Sequence, residues 1–208
     1  MAPFTTRNEI RAKNTANNDY FTGQKDAFMT DAQQVITQTK NWIKTLVIGC
    51  NFCPFASREF KQNSIHYQVE TGAALSTVRQ VILQECKRLD KDRSIGTTLI
   101  IFPDSFTEFD DYLKLVTYAE NLLKQKKYEG VYQLASFHPL YQFENSPFDD
   151  PANYTNRSIY PMLHLLREDH IRKALQFFPD AAGIPERNIQ FTREKGEAYL
   201  KMLRDSCL

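Results

Sequence analysis

The chain has 208 residues, 42% of them apolar and 25% charged, with 26 basic against 25 acidic side chains. A polymer of this length buries about 70% of the surface its unfolded form exposes, so it folds without disulfide staples or a structural metal. Its formal charge of +1 gives no net field for a polyphosphate backbone, which argues against general nucleic-acid binding, and no apolar run approaches the roughly 18 residues of a membrane span.

Residues 1–26 are rich in Asn, Thr and scattered charge without a sustained period, which predicts a flexible arm ahead of one globular domain over 27–208. The start of the chain lacks the apolar core of a secretory signal. The four cysteines are too sparse for a secreted disulfide scaffold, so a cytoplasmic protein with reduced thiols is expected. From Asp31, with Thr30 or Asp31 as cap, the residues Val35, Ile36, Thr39, Trp42, Ile43, Leu46 and Val47 share one stripe and predict a helix to about Gly49. Pro54 breaks the pattern, so Cys50 to Phe55 forms a link before a short helical piece. Ser64 to Val69 alternates like a half-buried strand. Leu75, Val78, Ile82, Cys86 and Leu89 then return to helical spacing.

Thr97 to Phe102 is a branched apolar run ended by Pro103, suited to a strand covered on both faces. Phe109 to Leu123 traces another amphipathic helix with Gly130 beyond it, and Val131 to Phe137 a third strand. A long polar connection follows, then a predicted helix from about Pro161 to Phe178 with proline in its first turn, and a terminal helix carrying Tyr199, Leu200 and Leu203. The order strand, helix, strand, helix, strand implies an α/β (or α+β) fold, with a sheet of three or more strands and helices packed on it.

Chemistry concentrates beyond the third strand, where open α/β sheets usually place ligands. His138 precedes Pro139 at the strand end. On a helix His164 and Glu168, four apart, would share a face, letting the carboxylate orient the imidazole. Arg157 offers a planar fork to a carboxylate or phosphate, with Asn153, Asn156 and Tyr141 as further binding groups. The leading expectation is a hydrolase or group transferase acting on a small anionic metabolite, with His138, His164 and Glu168 as the acid/base set. A metal-assisted version would hold a divalent metal through His138, His164 and one carboxylate from Asp149, Asp150 or Glu168, leaving a position open for water.

The alternative is a non-catalytic ligand-sensing or assembly module that uses the polar segment 136–168 for recognition. A purely structural role stays open for each residue: His138 locking the loop, the asparagines satisfying backbone, Asp150 making a turn, Arg157 pairing with Asp149, Asp150 or Glu168. Cys53 is a reactive thiol activated by a helix terminus or a histidine, one half of a metal or redox pair with Cys50, or a buried inert thiol.

The segments Cys53-Pro54-Phe55-Ala56, Gln133 to Pro139, Asp150 to Ser158 and Tyr160 to Glu168 closely resemble the bacterial family catalogued as domain of unknown function 1415. The resemblance runs from about Asp31 to the end, implies a cytoplasmic bacterial protein, and carries no catalytic assignment. Cys50 and Ile159 depart from the family pattern, which expects an aliphatic residue and a proline there, so a paired-cysteine role is not the shared one.

Overall fold

The computed structural model describes residues 31–177 and 180–208; the arm expected over 1–26 lies outside the described residues. Asp31 caps the first helix, its carboxylate accepting from Gln33 N at 3.0 Å, and α1 (Ala32–Trp42) turns Val35, Thr39 and Trp42 inward. The predicted helix continues as a π-helical turn over Ile43–Ile48. After the Pro54 break comes α2 (Ala56–Lys61), then β1 (Ile65–Val69), α3 (Leu75–Lys91), β2 (Thr97–Ile101), α4 (Phe109–Gln125) and β3 (Tyr132–Phe137), each where its periodicity places it.

The segment after Pro161 corrects the expectation. Met162–Arg167 is a strand, β4, and only Glu168–Leu175 is helical, as α5. Leu163 and Leu165 enter one hydrophobic core and Met162 the other. A segment apolar on both sides fits a central strand as readily as a buried helix, and the vacancy between β2 and β3 decides for the strand. Pro161, having no N–H to give, instead accepts from Phe102 N at 2.9 Å. The chain ends in α6 (Ile184–Lys195), unanticipated from the sequence, and α7 (Glu197–Asp205), which carries the expected Tyr199, Leu200 and Leu203.

The fold is α/β. The four strands lie in the order β1-β2-β4-β3. β1 and β2 are parallel, and β4 is antiparallel to both β2 and β3. Helices cover both faces. On one, Val78, Ile82 and Leu89 of α3 and Leu115 and Ala119 of α4 pack on Ile100, Leu163 and Leu165. On the other, Val35, Trp42, Leu46 and Leu200 pack on Leu99, Ile101 and Met162. Each aliphatic side chain so buried contributes roughly 1.5–3 kcal/mol. The Tyr112 hydroxyl of α4 donates to Met162 O at 2.6 Å and accepts from Phe137 N at 2.9 Å, tying β3 to β4 where they diverge into the long loop. Among the described residues no helix is long and apolar enough to cross a membrane.

The π-helical turn explains a glycine. A Cβ at Gly49 would collide with the Thr45 carbonyl oxygen, a backbone atom that cannot step aside. Gly49→Ala should therefore cost about 1–3 kcal/mol, read as a lower urea midpoint at an unchanged slope.

Candidate functional site

The loop over 138–161 leaves and re-enters the sheet at the carboxyl end of β3, because β4 pairs with β3 in antiparallel register, Phe137 opposite Met162. It is closed by its own polar groups. Asn153, fully buried, donates its amide to Pro147 O at 2.9 Å and Phe148 O at 3.1 Å and accepts from Phe143 N at 3.0 Å. Asn156 donates to Ser136 O at 3.1 Å. Arg157, 3% exposed, donates Nε to Tyr141 O at 3.0 Å and Nη2 to Phe148 O at 2.6 Å. Its guanidinium lies 4.5 Å from the Phe148 ring centroid and 4.9 Å from that of Tyr154, with Glu197 of α7 at 3.5 Å. Tyr141 is fully buried against Phe109 and Phe143.

Asp150 caps the short 3₁₀ turn Pro151–Thr155, accepting from Ala152 N at 2.9 Å. It also takes Arg193 of α6 at 2.8 Å, and this guanidinium holds its pKa down at about 2. Asp149 is exposed. Arg157 thus pairs with none of the acids expected for it. The asparagine and arginine side chains are engaged by carbonyls and, at Arg157 Nη1, by the Glu197 carboxylate, so an incoming anion would have to displace contacts already made.

The two histidines lie on opposite faces of the sheet. His138 is fully buried against Phe109 and Tyr112, with ring centroids 5.1 and 4.8 Å away. Leu140 N donates to its Nδ1 at 3.0 Å, so Nε2 carries the proton and donates to Phe106 O at 3.0 Å. His164 sits in β4 beside Phe137. The Thr97 hydroxyl donates its only proton to Leu165 O at 2.6 Å, which makes His164 Nε2 the donor in the 2.6 Å contact between the two side chains. Burial pushes both imidazoles down to about 4. Glu168 opens α5, so it does not share a helical face with His164. The expected acid/base trio and the metal set of His138, His164, Asp149 and Asp150 are not brought together. Among the described residues no group of three or more His, Cys, Asp or Glu side chains could hold a metal ion.

A cleft opens at the opposite end of the sheet. It has a volume of about 570 Å³ and lies between α2 and α5, against the amino ends of β1 and β2. Arg58, Arg93 and Lys173 line it, and the latter two side chains are each 71% exposed. Asp169 approaches both only at 4.0 Å, too far to neutralise them strongly. Arg167 forms part of the floor, its guanidinium spent on Ile95 O and Asp92 O at 3.0 Å and on Leu89 O.

Glu59 is fixed by the Ser64 hydroxyl, which donates to its carboxylate, and occupies the space a Cβ at Gly96 would fill. Thr97, the partner of His164, reaches the same cleft. His170 and Phe177 of the α5 segment complete the wall. No residue of α2 or α5 is fully buried.

A family profile described as Protein of unknown function (DUF1415) matches residues 34–202, from inside α1 into α7. The chain belongs to the DUF1415 family. No curated protein and no solved structure matches it. The matched span of this DUF1415 protein takes in both the closed loop and the cleft. Its Cys53-Pro54-Phe55-Ala56 segment leads into α2, with Pro54 and Phe55 on the rim of the cleft. That motif and the end of the Tyr160 to Glu168 segment, through Leu166 and Arg167, were the sequence signals near the cleft; Arg58, Arg93 and Lys173 look like ordinary surface charges until the chain folds.

The thiols of the DUF1415 protein are all free. Burial pushes Cys53 up, only partly opposed by the backbone N–H groups of Phe55 and Ala56, and pushes Cys50 up against the opposing charge of Lys195. Raised values disfavour the thiolate, which argues for the inert reading of Cys53 over the reactive one.

Two outcomes test the loop as a scaffold. Arg157→Ala strands the Tyr141 carbonyl and leaves the Phe148 carbonyl with Asn153 as its remaining donor, and should cost about 1–3 kcal/mol in urea unfolding, with faster proteolysis within 139–157. The histidines set the acid side of stability: the unfolded imidazole takes a proton near 6.5, the folded one only near 4. Their contribution is therefore complete above pH 6.5 and disappears as pH falls to about 4, and Asp150 extends the loss toward pH 2. The urea midpoint should fall between pH 7.5 and pH 5, and by less in His138→Gln, whatever that variant's stability at neutral pH.

Proposed function

We propose that this protein binds a small anionic molecule in the cleft between α2 and α5, and that the polar loop over 138–161 is the scaffold opposite it. The observation that carries this reading is the set of exposed cations, Arg58, Arg93 and Lys173, around one cavity of about 570 Å³ with only Glu59 as a lining carboxylate. Guanidinium and ammonium groups converging from α2, the α3–β2 turn and α5 attract negative charge and offer it several donors. The family resemblance supports a bacterial cytoplasmic setting, and the four free thiols are in keeping with it.

A catalytic version of the reading belongs to the same cleft. His170 brings an imidazole and Glu59 a carboxylate to its lining, the two group types that hydrolysis or group transfer uses for moving protons. His138 and His164, neutral and with their ring protons already donated, serve this version less well.

Isothermal titration calorimetry with inorganic phosphate and with citrate at low ionic strength tests the proposal. Saturable binding that weakens about tenfold in Arg58→Ala and again in Arg93→Ala, that weakens with added salt, and that is unchanged in Arg157→Ala is the expected result. Absence of saturable binding to these anions and to every larger phosphate ester titrated, or equal binding by all variants, would overturn it.

A further inference from the structure

Resting on the anionic reading of the cleft, we infer that its ligand is a ribonucleoside monophosphate. A bare phosphate or a small dicarboxylate leaves most of this cavity unfilled. The volume of about 570 Å³ falls in the range of roughly 300–1,000 Å³ that holds whole cofactor-sized molecules. The lining also contains more than cations, and its two other features would be wasted on a simple anion.

The first is Glu59. A carboxylate placed among cations repels an anion unless the ligand brings hydrogen-bond donors to it. Glu59 is held in place: Ser64 Oγ donates to it, and it lies over Gly96, where any other residue would displace it. One hydroxyl occupies little of the accepting capacity of two carboxylate oxygens, so positions remain for a second donor pair. A vicinal diol supplies two O–H groups at the spacing of one carboxylate, and recognition of ribose hydroxyls by an acidic side chain is a recurring solution in nucleotide sites.

The second is Phe177. It is 77% exposed, the most exposed large apolar side chain among the described residues, and it lines the cleft beside Ile171 and Ala174 of α5. A flat heteroaromatic base stacks on such a ring whatever its hydrogen-bonding edge, and stacking of this kind changes affinity by about tenfold. A base on Phe177, a ribose diol on Glu59 and a phosphate among Arg58, Arg93 and Lys173 use the exposed ring, the carboxylate and the cations of the cleft together. A sugar phosphate leaves the aromatic side idle, a nucleoside leaves the cations idle, and a dicarboxylate leaves both Glu59 and Phe177 idle.

The test is calorimetric titration of the full chain with adenosine, guanosine, cytidine and uridine 5′-monophosphates, alongside adenosine, ribose 5-phosphate, 2′-deoxyadenosine 5′-monophosphate and inorganic phosphate. At least one ribonucleotide should bind ten or more times tighter than ribose 5-phosphate and several times tighter than its deoxy counterpart. Phe177→Ala, a change at an exposed site, should bring the nucleotide down to the level of ribose 5-phosphate and leave the latter unchanged. Glu59→Gln should erase the preference for ribose over deoxyribose, and so should Gly96→Ala, which displaces the carboxylate by way of a flexible side chain. Melting curves confirm that each variant is folded.

If ribose 5-phosphate or inorganic phosphate binds as tightly as every nucleotide and Phe177→Ala changes nothing, the nucleotide assignment is wrong while the anionic cleft stands. If no phosphate compound binds, both are wrong.

Discussion

Because β4 runs antiparallel between β2 and β3, it must enter the sheet at the carboxyl end of its neighbours and leave at their amino end. That one pairing distributes the rest of the molecule. The connection from β3 has to begin and finish at the same edge of the ladder, so it folds back on itself as a self-contained loop. The chain leaving β4 is delivered to the far end, where α5 stands opposite α2 and a gap opens between them. Both central strands are covered on both faces, which makes the register expensive to alter: slipping β4 by one residue would take Leu163 and Leu165 out of their core and turn the half-buried His164 and Leu166 into it.

The two ends of the sheet use their polar residues in opposite ways. At the loop end, Asn153, Arg157, Asp150 and His138 turn inward and are matched by carbonyls, N–H groups and, for Asp150, the Arg193 guanidinium, the arrangement a long buried connection needs if it is to carry no unpaired backbone. At the cleft end, Arg93 and Lys173 point into solvent with only distant contacts to Asp169. Density of polar residues along the sequence therefore marks where the fold needed internal support, whereas the exposed charge around the cleft comes from residues far apart in the chain.

Much of the architecture was legible before the structure. The stripes of α1, α3 and α4 and the branched run of β2 carry strong periods, and the structure places elements on each. The segment after Pro161 was not, for a physical reason: Met162 to Leu166 is apolar on both sides, and Arg167-Glu168 passes from strand to helix without a glycine or proline to punctuate it. His164 was thereby read on a helical face that does not exist. The candidate site was hardly legible at all, since Arg58, Arg93 and Lys173 meet only through tertiary folding. The closed loop, by contrast, displays every polar type that chemistry uses within one short stretch.

The walls of the cleft are lightly anchored: no side chain of α2 or α5 is fully buried, and of the two helices only α2 packs an apolar side chain, the half-buried Phe60, against a core. Their opening from the sheet would cost far less than global unfolding, so amide exchange along these two helices should proceed through small local excursions and not through melting of the sheet. Closing around a guest would then change the breathing of this one end while leaving the slowly exchanging amides of β2 and β4 as they were.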